Sequence, residues 1–125
     1  MTIERPINLD LTKFRFPPMA IVSIGHRISG VLLFLLIPLM LYLLHHSIIS
    51  STAFSDLQQT FVASGWLKFW VWVLLTVTFF HLFAGIRHLI MDLGFGESVH
   101  AGKCTAYVVF ILSLVATILA GIWVW

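Results

Sequence analysis

Apolar residues gather into three long runs separated by two polar intervals. The first extends from about Ile28 to Leu44, with helix expected from Met19; the second covers Trp66 to Met91 and the third Ala106 to Trp125. Each approaches or exceeds the roughly 18 to 20 residues that cross a hydrocarbon core at about 1.5 Å per residue. The pattern therefore predicts an all-α integral membrane bundle of three transmembrane helices, with spans at about 19–46, 66–92 and 104–125. These make one domain over 19–125, behind an N-terminal segment 1–18. Pro17 and Pro18 suit the first turn of the opening helix, where no backbone donor is lost. Pro38 falls mid-span and should kink the helix. The interval from Ser50 to Gly65 reads only as a polar loop. Ser113, Thr117 and Gly121, with Ala116 and Ala120 beside them, give the third helix a small-residue face that should pack on another helix.

Composition agrees: 60% of the 125 residues are hydrophobic and 10% charged, whereas a soluble domain carries about a quarter charged residues. A net charge of +2 in so apolar a chain gives no reason to expect a nucleic-acid partner, and its use is to read orientation. Arg5, Lys13, Arg15 and Arg27 precede the core of the first span, and Arg87 and Lys103 lie at the second interval; the first interval holds no lysine or arginine. The positive-inside rule then puts the N-terminus in the cytoplasm, or the matrix of a mitochondrion, and the C-terminus on the opposite side. Trp66, Trp70, Trp72, Trp123 and Trp125 would anchor that outer interface. Residues Met1 to Pro18 hold charges of both signs and no continuous apolar core, so no cleaved signal is expected. The single cysteine, Cys104, excludes an internal disulfide and an iron-sulfur cluster held by this chain alone.

The candidate chemistry lies on two helical faces. On the first helix Ser23, Arg27 and Gly30 share a surface, with His26 on its flank. On the second, His81, Gly85, His88 and Asp92 follow i, i+4, i+7 and i+11. His81 lies about 16 Å along the axis from Asp92, near mid-membrane, where an imidazole needs a partner or a function. Two readings fit. His81 joins helices through a hydrogen bond, or it ligates haem iron through a neutral ring nitrogen, with Ala84 and Gly85 leaving room for a flat macrocycle. Haem propionates would then need cations near a membrane face, and Arg27, His26 and either His88 or Arg87 are available. Arg87 lies off the His81 face, where its own expectation is to snorkel to the surface. Asp92 is placed to pair with Arg87 or His88. His45 and His46 need only interfacial solvation, and His100 reads as a loop residue.

The segments RPINLDL from Arg5, SIGHRISG from Ser23 and HLFAGIRHLIMD from His81 together resemble the cytochrome b membrane-anchor subunits of succinate dehydrogenase, respiratory complex II. The likeness runs nearly end to end. It implies that Ser23 and Arg27 help form a ubiquinone site and that His81 is an axial ligand of haem b. It also implies a second anchor subunit supplying the other axial histidine, an iron-sulfur subunit and a flavoprotein subunit, all at a bacterial inner membrane or, alternatively, a mitochondrial one. Such an anchor is no enzyme by itself; it serves an oxidoreductase. Two rivals stand beside this reading: an anchor of a fumarate reductase, and a small proton-relay or transport subunit using His81, His88 and Asp92.

Overall fold

A computed structural model describes residues 15–125, so the RPINLDL segment and Lys13 lie outside the described residues. The chain forms helices α1 (Pro18–Leu35), α2 (Ile37–Ile48), α3 (Ser51–Ala63), α4 (Gly65–Asp92) and α5 (Val99–Val124). Of these, α1, α4 and α5 are long and apolar enough to cross a membrane, giving the all-α bundle that the apolar runs predict.

Pro17 caps α1 from extended backbone and Pro18 is its first helical residue, where the missing N–H costs nothing. With 18 residues, α1 reaches about 27 Å, just short of a hydrocarbon core of about 30 Å. Its continuation is interrupted at Leu36 (φ −87°, ψ −2°). The cause is Pro38, which cannot donate to the Phe34 carbonyl and crowds it. Beyond the break α2 packs on α1 and α3 rather than on α4 or α5. A cavity of about 560 Å³ opens there, lined in part by Leu36, Pro38, Trp66 and Trp70.

The interval expected to be a loop is instead the helix α3. The Ser50 hydroxyl accepts from the Ala53 N–H at 3.1 Å and starts it, satisfying one of the orphan donors of the first turn. Ala53, Leu57 and Phe61, at four-residue spacing, are its half-buried side. Ser64 repeats the device for α4, accepting from the Leu67 N–H at 3.2 Å. After α4 the chain turns through Gly94 and Gly96, with φ of 84° and 76°, values that only glycine takes without strain. Ser98 then caps α5, accepting from Ala101 at 3.2 Å. The helix therefore begins at Val99, ahead of the apolar run, and His100 belongs to its first turn rather than to a loop.

In the bundle α4 packs against both α1 and α5, which also touch each other. The core they share is small: Val22, Ala84, Ala106 and Val109. Close approach between backbones takes the place of bulky filling, as is usual where lipid removes the hydrophobic drive for helix pairing. A Cβ on Gly25 would stand 2.8 Å from Phe80 Cζ, and one on Gly121 3.3 Å from Trp72 Nε1. Trp72 is therefore more than an interfacial anchor, since its indole N–H donates to the Thr117 carbonyl at 3.0 Å and ties α4 to α5. Ser113 and Ala120 are buried, so the small-residue face of α5 does meet another helix. Met19 of α1 packs over Gly102 at one end, while Trp72 meets Trp125 near the other, ring centroids 6.1 Å apart. The start of α1 and the α4–α5 turn thus share one end of the bundle.

Candidate functional site

Ser29 lies 11 residues past the start of α1 and His81 11 residues before the end of α4. In antiparallel helices both therefore sit about 16 Å in from the same end. At that depth Ser29 Oγ is 2.9 Å from His81 Nδ1 and donates to the His26 carbonyl at 2.8 Å. Glycine makes the approach possible, because a Cβ on Gly30 would stand 3.3 Å from His81 Cε1 and one on Gly85 3.2 Å from His26 Nε2. Each would force the ring beside it to shift.

The rings form a short row. His26 stacks on His81 with centroids 4.1 Å apart and planes 21° from parallel, and lies 5.1 Å from His88 in a tilted arrangement. The structure thus brings together His26, His81 and His88, three of the residues singled out by spacing. Among the described residues no group of three or more histidine, cysteine, aspartate or glutamate side chains could hold a metal ion, so the row is not itself a metal centre. His81 Nε2 makes no hydrogen bond among the described residues and keeps one nitrogen for another partner.

Arg27 points away from this row and is exposed, with Ser23 half-buried one turn earlier. Neither side chain makes a hydrogen bond or ion pair among the described residues. Gly30, on the same surface of an ideal helix, faces α4 instead. The first face therefore divides: Gly30 and the flanking His26 turn inward, while Ser23 and Arg27 form a polar edge facing outward. Asp92 is exposed and bonds to neither His88 nor Arg87.

Arg87 corrects an expectation. Instead of snorkelling to the surface it is 5% exposed, donating through Nε to Thr105 Oγ1 at 3.0 Å and through Nη2 to the Gly102 carbonyl at 3.2 Å. Gly102 leaves room for Met19 and the guanidinium together. The rigid fork of the arginine spans two acceptors on one helix, which a lysine cannot do. Arg87→Met keeps the stem and removes the donors, and should cost about 1.5 to 3 kcal/mol, the range for hydrogen bonds to a charged group. A lowered midpoint in thermal unfolding of the purified complex checks it.

The remaining candidates stay peripheral. His46 Nδ1 is 3.0 Å from the Tyr42 carbonyl, and His45 is exposed beside it. Cys104 is exposed as well, 3.7 Å from His100 one turn away.

The chain as a whole has counterparts among known proteins. The family model described as succinate dehydrogenase/fumarate reductase transmembrane subunit matches residues 1–120. The chain belongs to that family, among the cytochrome b anchor subunits of complex II. It is 60% identical over 125 residues to the succinate dehydrogenase cytochrome b556 subunit of Coxiella burnetii, covering 100% of both chains. To the cytochrome b560 subunit of Reclinomonas americana it is 34% identical, covering 98% of this chain and 88% of the relative. The cytochrome b556 subunit of Paracoccus denitrificans is 32% identical, over 93% of this chain and 88% of its own. The anchor is a transmembrane subunit with three apolar spanning helices.

Spacing alone does not point to two residues that bond to the candidate side chains, Ser29 and Thr105. Ser29 lies within the quoted SIGHRISG motif, and its i+3 relation to His26 was the available signal, since a helical serine bonds back to the i−3 or i−4 carbonyl. Thr105, the partner of Arg87, carried no signal of its own.

Proposed function

We propose that this chain is a membrane anchor of succinate:ubiquinone oxidoreductase, assembled with a second anchor subunit, an iron-sulfur subunit and a flavoprotein subunit. It holds haem b through His81 and presents Ser23 and Arg27 to ubiquinone. The observation that carries the reading is His81 itself: an imidazole at mid-depth, let in against α1 by Gly30, with Nδ1 engaged by Ser29 and Nε2 left for a ligand. These residues fit the haem implied by the cytochrome names of the relatives.

Haem b, when bound, supplies a one-electron store inside the bilayer. His81 would hold the iron through a ring nitrogen, together with a histidine of the second anchor subunit. His26, His88 and Arg27 are the groups of this chain that can carry the positive charge propionates require; Arg87 is committed to α5. Ser23 and Arg27 lie free at the membrane boundary, where quinone arrives from lipid and electrons arrive from the aqueous subunits. Quinone reduction gathers negative charge on the carbonyl oxygens before protons reach them. A hydroxyl and a guanidinium aimed at that charge in a low-dielectric setting stabilise it as an oxyanion hole does. Because Arg27 is exposed on this chain, the wall that closes the site comes from the partner subunits.

Purification from native membranes tests the whole reading. The complex should carry iron-sulfur and flavoprotein subunits, reduce a ubiquinone analogue with succinate and show sharp reduced b-type bands. A colourless preparation would favour the proton-relay reading. The lysine and arginine asymmetry supports a cytoplasmic position for the start of α1 and the α4–α5 turn, in a bacterial inner membrane on this reading. Externally added thiol reagent should label a cysteine at Ser55 and miss one at Ser98; the reverse pattern would invert the side on which quinone is reduced.

A further inference from the structure

The Ser29 hydroxyl has one proton and two neighbours. Oγ donates to the His26 carbonyl at 2.8 Å, within its own helix, where the serine rotamer brings it naturally. With that proton committed, Oγ meets His81 Nδ1 at 2.9 Å through a lone pair, so the proton in the second bond must belong to the imidazole. A neutral imidazole has one N–H, and placing it on Nδ1 leaves Nε2 with the lone pair that binds metal. The contact is sheltered, because Ser29 is 4% exposed and Gly30 lets the ring close on α1.

We propose that Ser29 is a positioning residue for His81: its hydroxyl, aimed by the His26 carbonyl, fixes the Nδ1-protonated tautomer and the ring plane, making Nε2 the iron-binding nitrogen. This rests on the haem reading of His81. The relay from Nδ1–H through Oγ–H to a backbone carbonyl also draws proton density away from the ring, which makes the ligand more basic. A more basic ligand favours ferric over ferrous iron. Ser29 thereby helps set the redox potential as well as the geometry of a site whose iron it does not touch.

The test compares Ser29→Ala, Ser29→Thr and Ser29→Cys with His81→Leu in the assembled complex. The readouts are haem content per flavin, redox midpoint, and the ferric low-spin electron paramagnetic resonance signal. Ser29→Ala removes the acceptor with little change in volume, and its expected results are haem affinity lowered about 10- to 100-fold, as for other losses of a ligand's outer partner, a raised midpoint, and a shifted ferric signal. Ser29→Thr should restore both midpoint and signal, since a helical threonine makes the same back-bond and Ser29 borders a cavity of about 290 Å³ that takes the extra methyl. A purely structural role would lower assembly and leave the midpoint and signal of the retained haem unmoved. Should Ser29→Ala fail to assemble, Ser29→Cys, whose sulfur accepts only weakly, must still raise the midpoint. Haem lost from His81→Leu but unaltered midpoint and signal in the assembled Ser29 variants would overturn the role of Ser29 alone. Ligation left intact in His81→Leu, or a colourless wild-type complex, would overturn the haem reading beneath it.

Discussion

Replacing His81 with leucine should remove one axial ligand and with it the low-spin b-type spectrum of the complex, while leaving the bundle assembled. The expectation that the fold survives has a local cause. Leucine is close in volume to the imidazole, and the hydroxyl it would strand, Ser29 Oγ, still donates to the His26 carbonyl at 2.8 Å. No buried donor is left unpaired, so the penalty of about 1 to 3 kcal/mol for an unmade buried hydrogen bond is avoided. Loss of haem would then report loss of ligation rather than of folding. The check is a reduced-minus-oxidised spectrum on complexes matched for flavin and subunit content. Haem retained by the partner subunit alone would show an altered ligand field, so a diminished or high-spin spectrum supports the assignment. An unchanged low-spin spectrum would overturn it.

His81 also illustrates what the sequence could tell. Its depth, its neighbours Ala84 and Gly85 and its isolation among apolar residues raised two readings, a helix-joining hydrogen bond and a metal ligand. The structure contains the first, between Ser29 and Nδ1, and it leaves Nε2 available for the second. The readings are compatible because an imidazole has two nitrogens.

The residues that resisted prediction did so for a common reason. Helical spacing gives the angle of a side chain about its own axis, yet it does not say which neighbouring helix fills that angle. Arg87 was rightly placed off the His81 face, and α5 stands there with Thr105 and the Gly102 carbonyl ready to accept. Gly30 was grouped with Ser23 and Arg27, and the position of α1 against α4 turns it to His81. The helix α3 escaped because its polar composition hid a serine cap and a four-residue apolar repeat. The last helix likewise starts ahead of its apolar run, since its first two turns carry His100 and Lys103.

The polar edge of α1 leads to the second large effect. Arg27→Leu and Ser23→Ala should impair quinone reduction while sparing succinate oxidation. Both residues lie near the end of the bundle shared by the α1 start and the α4–α5 turn, and neither has a hydrogen-bonding partner among the described residues. Removing them therefore breaks no bond that holds this chain together, unlike removal of Arg87. Ser23→Ala deletes one neutral donor and should cost about 1 to 3 kcal/mol in binding or in stabilising charge on the quinone oxygen. Arg27→Leu should cost more, because a charge-assisted bond is roughly twice as strong as a neutral one. With each 1.4 kcal/mol equal to about tenfold, the serine variant should lose about five- to 150-fold and the arginine variant more. Succinate oxidation is measured with a soluble artificial acceptor and, in parallel, with a ubiquinone analogue, on complexes matched for flavin and haem. Because Arg27 is also one of the cations available to a propionate, the haem content of its variant has to be measured before rates are compared. A parallel fall in both activities would make the two residues structural; a fall confined to the quinone reaction is expected, since on the proposed reading succinate is oxidised in a partner subunit and its electrons pass to the soluble acceptor without reaching this edge of the membrane.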